Sequence, residues 1–267
     1  MTTPPSLRTR LFGILEVEYE GRPLPLPSSA AARSLLAYLF LHHDRPIPRD
    51  RLAGTFWPER PDAAARRALS QALWQIRRAL GPAAGRLETD QDTVALLLLP
   101  DDWLDVDAFR RLCAHRLSAS PLEEAHRLQE AIALYRGDLL EAIYEDWVLL
   151  ERERLREAYL DALERLITLH KQRKDYSQAL AYAQQLVTAD PLREKAHRDL
   201  MRLYHLVGRP QAALEQYARL RELLKRELGI GPTATTTALA QEIADQAGLV
   251  PSHLPMADAA PSAPLLE

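Results

Sequence analysis

Arg67, Gln71, Trp74 and Arg78 recur at i, i+4, i+7 and i+11 within Pro61–Leu80, and no acidic residue lies between Ala63 and Leu80. At about 100° per residue this spacing draws one stripe along an α-helix. Leu69, Leu73, Ile76 and Leu80 repeat the spacing two residues later, so the polar stripe lies roughly opposite an apolar one. Arg and Gln carry the paired donors and acceptors that match guanine and adenine edges in the major groove. An ordinary surface helix would mix Glu and Lys on that face. The stretch therefore reads as a duplex-reading helix, against the alternative of a solvated helix with chance basic residues. Arg67, Ser70, Gln71, Trp74 and Arg78 are the candidate base or backbone contacts, with Arg66 and Arg77 on phosphates. Trp74 could equally pack onto a wing or a second domain. Arg49 and Arg51 could steady a preceding helix against the DNA backbone.

Such a helix must be held by its neighbours. Asp62 is the expected N-cap and Gly81-Pro82 the stop. Pro48–Trp57 reads as a short helix with Leu52, Phe56 and Trp57 on its buried side. Trp57–Pro61 is the turn that completes a helix-turn-helix. Ser28 or Ser29 can cap a core helix running through Leu35, Leu36, Leu39 and Phe40 to about His42. Leu7–Glu20 alternates as a small antiparallel sheet, with an edge strand at 22–26 where Pro is tolerated. Gly85–Thr89 and Thr93–Leu97 flank Asp90-Gln91-Asp92 as a hairpin, the position of a wing.

A chain of 267 residues suggests about two domains. With 47% hydrophobic and 27% charged residues it can fill a core. Net charge is −3, but residues 1–100 hold 13 Lys and Arg against 10 Asp and Glu, and the remainder holds 21 against 27. That is a small basic reading head on an acidic body. The one cysteine, Cys113, excludes an intrachain disulfide and a cysteine-built zinc site, and reads as a small core residue. His42 and His43 read as helix-end residues, and the eight histidines show no paired metal spacing. Phosphate-cradling glycine loops are absent from the sequence, and the Glu and Arg residues of 141–165 read as helix-surface ion pairs. The expectation is a non-enzyme with no cofactor and no metal. Without a long apolar run it is expected to be soluble and cytoplasmic, with no membrane partner.

From about Asp101 to Gly248 the apolar spacing is 3 and 4 throughout, giving helices at 109–117, 122–134, 147–171, 177–188, 192–206, 211–228 and 236–246. A shift of 34 residues places Leu166 on Leu200, Leu169 on Leu203, Ala179-Leu180 on Ala213-Leu214 and Leu186 on Leu220. This is the tetratricopeptide period, and the small Ala allows close helix approach. Pro121 could open a further, degenerate unit. Residues 249–267 are an Ala- and Pro-rich tail or linker.

Arg49-Asp50-Arg51-Leu52, Phe56-Trp57-Pro58, Ala65-Arg66-Arg67 and Leu80-Gly81 carry a family resemblance. Residues 7–100 resemble the winged helix of response-regulator transcription factors, and more closely the head of SARP-like regulators. The wing departs from that family, with Glu88, Asp90 and Asp92 where Gly and an aromatic residue are usual. Carboxylates repel phosphates, so the wing is left out of the candidate site. Arg136-Gly137-Asp138-Leu139-Leu140, Glu145-Asp146-Trp147 and Glu227–Pro232 resemble the bacterial transcriptional activator domain that follows such heads.

The resemblance implies a mainly α fold with a small β component. A winged helix-turn-helix at 1–100 precedes an all-α, tetratricopeptide-like domain at 101–248. It also implies a DNA-binding activator that reads direct repeats upstream of promoters, often in pairs as a homodimer on double-stranded DNA, and recruits RNA polymerase. An unidentified small-molecule or protein effector could bind the repeats. Larger members of the family continue into an ATPase, so the chain could be a natural short form or the front of one. The competing expectation is a helical-repeat interaction module whose winged helix is mainly structural.

Overall fold

The computed structural model describes residues 7–114 and 120–249. The architecture is mainly α with small sheets, and the chain divides into two compact units at Tyr159/Leu160.

The first unit opens with β1 (Leu7–Arg10), which pairs antiparallel with β2 (Glu16–Tyr19), and β2 pairs with the edge strand β3 (Arg22–Pro23). Helix α1 (Ala30–Leu41) is capped by Ser29, whose hydroxyl accepts from the Ala32 amide. Every residue from Ser34 to Leu41 is buried, so it is the core helix its run of apolar residues requires. The two-residue strand β4 (Ile47–Pro48) leads into α2 (Arg49–Phe56) and then α3 (Asp62–Leu80). Here one expectation is corrected. Asp62 is not a capping residue: it is the first helical residue, Pro61 flanks it, and no side chain caps the helix. Its carboxylate sits at the positive end of the helix dipole instead. Gly81, at φ 51°, ends α3 as anticipated, and a 3-10 segment (Gly81–Arg86) follows.

The hairpin comprises β5 (Leu87–Thr89) and β6 (Thr93–Leu96), and β4 pairs with β6 to make the order β4-β6-β5. The Asp90 carboxylate accepts from the Asp92 amide at 2.8 Å, and from the amide and hydroxyl of Thr93 at 2.6 and 2.9 Å. The hydrogen bonds from Thr93 and Asp92 lower its pKa.

The change of sequence character near residue 101 is not the edge of this compact unit. Strand β7 (Trp103–Leu104) joins the first sheet in parallel beside β1, giving the order β3-β2-β1-β7. Asp102 accepts from the Leu7 and Leu99 amides and from Arg86. Asp105, 1% exposed, accepts from the amides of Leu11, Phe12 and Val106. Burial raises its pKa, while those amide bonds oppose the rise. Phe12 also bridges Leu139, and its ring packs on Phe109 and Tyr135. Helices α4 (Asp105–Cys113) and α5 (Pro121–Leu134) follow β7, the latter closed by a Ser120–Glu123 capping box. The expected helix at 109–117 thus begins four residues earlier and ends at Cys113; residues 115–117 of that expectation lie outside the described residues. Cys113 is half-buried.

Helix α6 (Asp146–Gln172) starts in the first unit and runs into the second. At its start Trp147 donates to Glu145 and Ser34, and its ring meets those of Tyr38 and Phe56. Phe56 and Trp57, expected on the buried side of α2, are half-buried.

The second unit continues with α7 (Tyr176–Ala189), α8 (Glu194–Leu206), α9 (Pro210–Leu228) and α10 (Ala234–Ala247). Leu166, Leu200, Leu169, Leu203, Ala179, Ala213, Leu186 and Leu220 are all buried, as a 34-residue helical repeat demands. Leu239 and Ile243 of α10 close a core with Met201 of α8 and Tyr217 of α9. Glu194 accepts from the Thr233 amide and from the hydroxyls of Thr233 and Thr236, fixing the start of α10. The Ala/Pro-rich tail lies outside the described residues beyond Leu249. Among the described residues no helix is long and apolar enough to cross a membrane.

Candidate nucleic-acid interface

Helix α3 buries Leu69, Leu73, Ile76 and Leu80, together with Ala65, Ala72 and Ala79. Burying that stripe turns the opposite one outward. Arg66, Arg67, Ser70, Gln71, Trp74, Arg77 and Arg78 are all exposed, as is Arg51 on α2, while Arg49 is half-buried. Trp74 is 60% exposed, so the hairpin does not cover it.

Exposure alone does not make these residues equivalent, because several are already engaged. Arg66 forms a two-pronged pair with Asp50, Nε to Oδ1 at 2.9 Å and Nη2 to Oδ2 at 3.1 Å. It ties α3 to α2. Arg49 donates to the Ser70 hydroxyl at 3.1 Å, and that hydroxyl donates to the Arg66 carbonyl at 3.0 Å. Arg77 donates to the Leu87 carbonyl at 3.2 Å and to Thr89 Oγ1 at 3.1 Å, fastening the last turn of α3 to the hairpin.

Arg67, Gln71 and Arg51 make no hydrogen bond or ion pair with any described residue. The Arg78 guanidinium lies over the Trp74 ring, 5.6 Å from its centroid. What remains available is a single stripe of Arg67, Gln71, Trp74 and Arg78. At 1.5 Å per residue it is about 16 Å long, which matches about five base-pair steps.

Two positioning residues escape inspection of the sequence. Gln75 lies four residues after Gln71, yet its Oε1 accepts from the Ser29 hydroxyl at 2.8 Å and the Ser29 amide at 3.3 Å. It braces α3 against the start of α1. Asp50 holds Arg66. The Arg-Asp-Arg string at 49–51 was the one available signal for that pair. Glu88, Asp90 and Asp92 are exposed on the hairpin. Among the described residues no cluster of His, Cys, Asp and Glu could hold a metal ion.

A helix-turn-helix with a third-strand-supported hairpin, followed by stacked helix pairs, defines a winged helix-turn-helix head joined to tetratricopeptide-like repeats. Residues 104–244 match the bacterial transcriptional activator domain, and the chain belongs to that family. It is 29% identical to the regulatory protein AfsR of Streptomyces coelicolor, over 89% of this chain but only 24% of AfsR. It is 28% identical to the transcriptional regulatory protein MoaR1 of Mycobacterium tuberculosis, over 92% of this chain and 81% of that protein. Among solved structures it is similar to Mycobacterium tuberculosis EmbR in complex with a low-affinity phosphopeptide. The TM-score there is 0.70 at 25% identity, covering 91% of this chain and 66% of EmbR. The chain thus spans a quarter of AfsR and most of MoaR1.

Proposed function

We propose that this chain is a sequence-specific DNA-binding transcriptional activator that reads promoter-proximal direct repeats through α3 and contacts RNA polymerase. Residues 1–100 carry the reading surface, residues 101–248 the activator domain, and two copies engage one operator. Such a role places the protein in the cytoplasm, with the DNA. The observation that carries this reading is the outward, acid-free stripe of Arg67, Gln71, Trp74 and Arg78, whose polar groups make no hydrogen bond or ion pair with any described residue. Arg67 and Gln71 have the donor geometry for base edges. Arg51 and Arg78 have the charge for phosphates, and Trp74 has an apolar face for a thymine methyl or a sugar. Arg49, Arg66, Ser70 and Arg77 act mainly by fixing α3 against α2 and the hairpin.

The test begins with selection of bound sequences from random duplexes by the full chain. Arg67→Glu with Arg78→Glu should then lower affinity for the selected duplex by about 100-fold or more at matched salt, with melting unchanged. Retention within about threefold would defeat the assignment and favour the other reading, a repeat-based interaction module with a structural head. That other reading draws on Arg66 and Arg77 being engaged internally.

A further inference from the structure

The two helical-repeat units are alike in their core and unlike on one face. In the 34-residue register Gln216 falls where the preceding unit has Tyr182, Arg219 where it has Gln185, and Arg221 where it has Val187. The later repeat therefore carries an amide in place of an aromatic ring and two guanidinium groups in place of neutral side chains.

Those exchanges line an open groove of about 660 Å³ beside α8 and α9. Its exposed lining surface is mostly apolar, and Val187, Pro191 and Leu223 contribute to it. Its floor is a buried pair. His197 Nε2 lies 2.9 Å from the Pro191 carbonyl, which can only accept, so Nε2 carries the proton. Nδ1 is then a bare lone pair and accepts from Gln216 Nε2 at 2.7 Å. Burial lowers the His197 pKa, in keeping with this neutral tautomer. Gln216 Oε1 is left with no partner among the described residues, so the floor offers an acceptor for an N–H.

The rim carries Arg219, Arg221 and Arg226 against the single lining acid Glu222. Arg219 is exposed and makes no hydrogen bond or ion pair with a described residue. Arg226 meets only its neighbour Glu227, at 2.8 Å. Residues 101–267 hold 21 Lys and Arg against 27 Asp and Glu, so a cationic rim here is a local reversal of sign. A partner bearing carboxylates is steered to such a rim and away from the rest of this half.

We propose that this groove docks an extended peptide segment of a partner protein, one that places an apolar side chain between carboxylates. The apolar side chain packs on the apolar lining that Val187, Pro191 and Leu223 supply. A backbone N–H donates to Gln216 Oε1, and Asp or Glu side chains meet Arg219 and Arg226. This site goes beyond duplex reading and does not depend on it.

The test uses the full chain and a fluorescein-labelled peptide of about twelve residues with Leu at every third position among Asp and Glu. A peptide of the same pattern with Lys for every acid is the control. The acidic peptide should bind saturably, about tenfold or more tighter than the control, and weaken as salt rises. Arg219→Glu with Arg226→Glu should lower its affinity about tenfold, and Gln216→Leu should lower it severalfold. Affinity for the selected duplex should stay within about twofold in both variants. Equal binding of the two peptides, or full affinity in the double variant, would overturn the proposal. So would displacement by inorganic phosphate alone or by oligothymidylate, which would reveal a small-anion or a nucleic-acid site. Because duplex affinity is read on the same samples, failure here leaves the DNA reading standing, and the converse holds.

Discussion

Helices α3 and α9 are each 19 residues long, and both bury one apolar stripe. Each carries four cationic side chains, yet α3 holds one acid, Asp62, and α9 holds three, Glu215, Glu222 and Glu227. On α3 the acid sits at the first residue and leaves the outward face uniformly positive or neutral. On α9 acids alternate with arginines, and Arg226 is paired within its own turn. The count of cationic side chains therefore does not separate a duplex-reading helix from a protein-docking one. The separation lies in which arginines are free of acids, and in whether the free ones form a line the major groove can accept.

That contrast can be broken at several points. The largest effect should come from giving α3 one acid of the kind α9 has. Gln71→Glu puts a carboxylate in the middle of the stripe and should weaken binding to the selected duplex by about 10- to 100-fold, by fluorescence anisotropy at fixed salt. An effect under about threefold would mean that the stripe does not face the duplex. Next, Arg67→Ala should cost about 1–3 kcal/mol of duplex affinity and relax the preference at one base position. Arg66→Ala, which breaks only an exposed pair with Asp50, should change affinity by less than about threefold and stability by about 0.2–1 kcal/mol. Equal losses for the two would show that freedom from internal partners does not mark the reading residues. A smaller gain is expected from Glu88→Lys on the hairpin: affinity rising a few-fold and the salt slope steepening by about one. No change would place the hairpin away from the phosphates.

The smallest effect is on stability, and it has opposite signs at His197 and at His43. Burial lowers the His197 pKa from its ordinary 6.5. The unfolded chain then binds a proton that the folded second unit refuses, so that unit loses stability as pH falls below about 6.5. His43 goes the other way, because its 2.7 Å hydrogen bond to Asp107 raises its pKa. Its stabilising contribution is full below 6.5 and fades as pH rises through the raised value. Trp57, Trp74, Trp103 and Trp147 all lie before residue 160. Tryptophan fluorescence in urea follows the first unit alone, and far-ultraviolet circular dichroism follows both. His42, in the same unit, opposes His43, because burial lowers its pKa. The check is therefore by substitution. His43→Gln should flatten the fall of the fluorescence midpoint as pH rises from 6.5 to 8, and His197→Gln the fall of the second unit's midpoint below 6.5. Unchanged slopes would contradict the assignment.

The helices of this chain were legible because their signals repeat. Leu69, Leu73, Ile76 and Leu80 on α3, and the 34-residue recurrence of Ala179 and Ala213, are long periodic patterns that packing reinforces. The helix order followed from them, and over 104–244 the family match agrees. That the stripe on α3 faces outward followed from the burial of the opposite one. Strands β4 and β7 were not legible. Each is two residues long, and each exists only because a partner distant in sequence supplies its hydrogen bonds, Val94 and Thr93 for one, Arg8 and Thr9 for the other. Which members of the α3 face are occupied was also hidden. Arg66 and Arg67 are adjacent and identical in type. Only the turn joining α2 to α3 brings Asp50 within reach of the first and not the second.

The bridge between Phe12 and Leu139, with Leu140 donating to Leu11 and Gly13 to Asp138, stitches the beginning of the chain to a segment well over a hundred residues later. A fragment ending at residue 100 would forfeit those rungs, strand β7 and the carboxylate of Asp105. The bared amides of Leu11 and Phe12 would then be open to pairing with another molecule. Excised at that point, the head invites self-association, and a clumped sample could masquerade as a cooperative operator complex. Cutting between Tyr159 and Leu160 keeps every one of those threads intact.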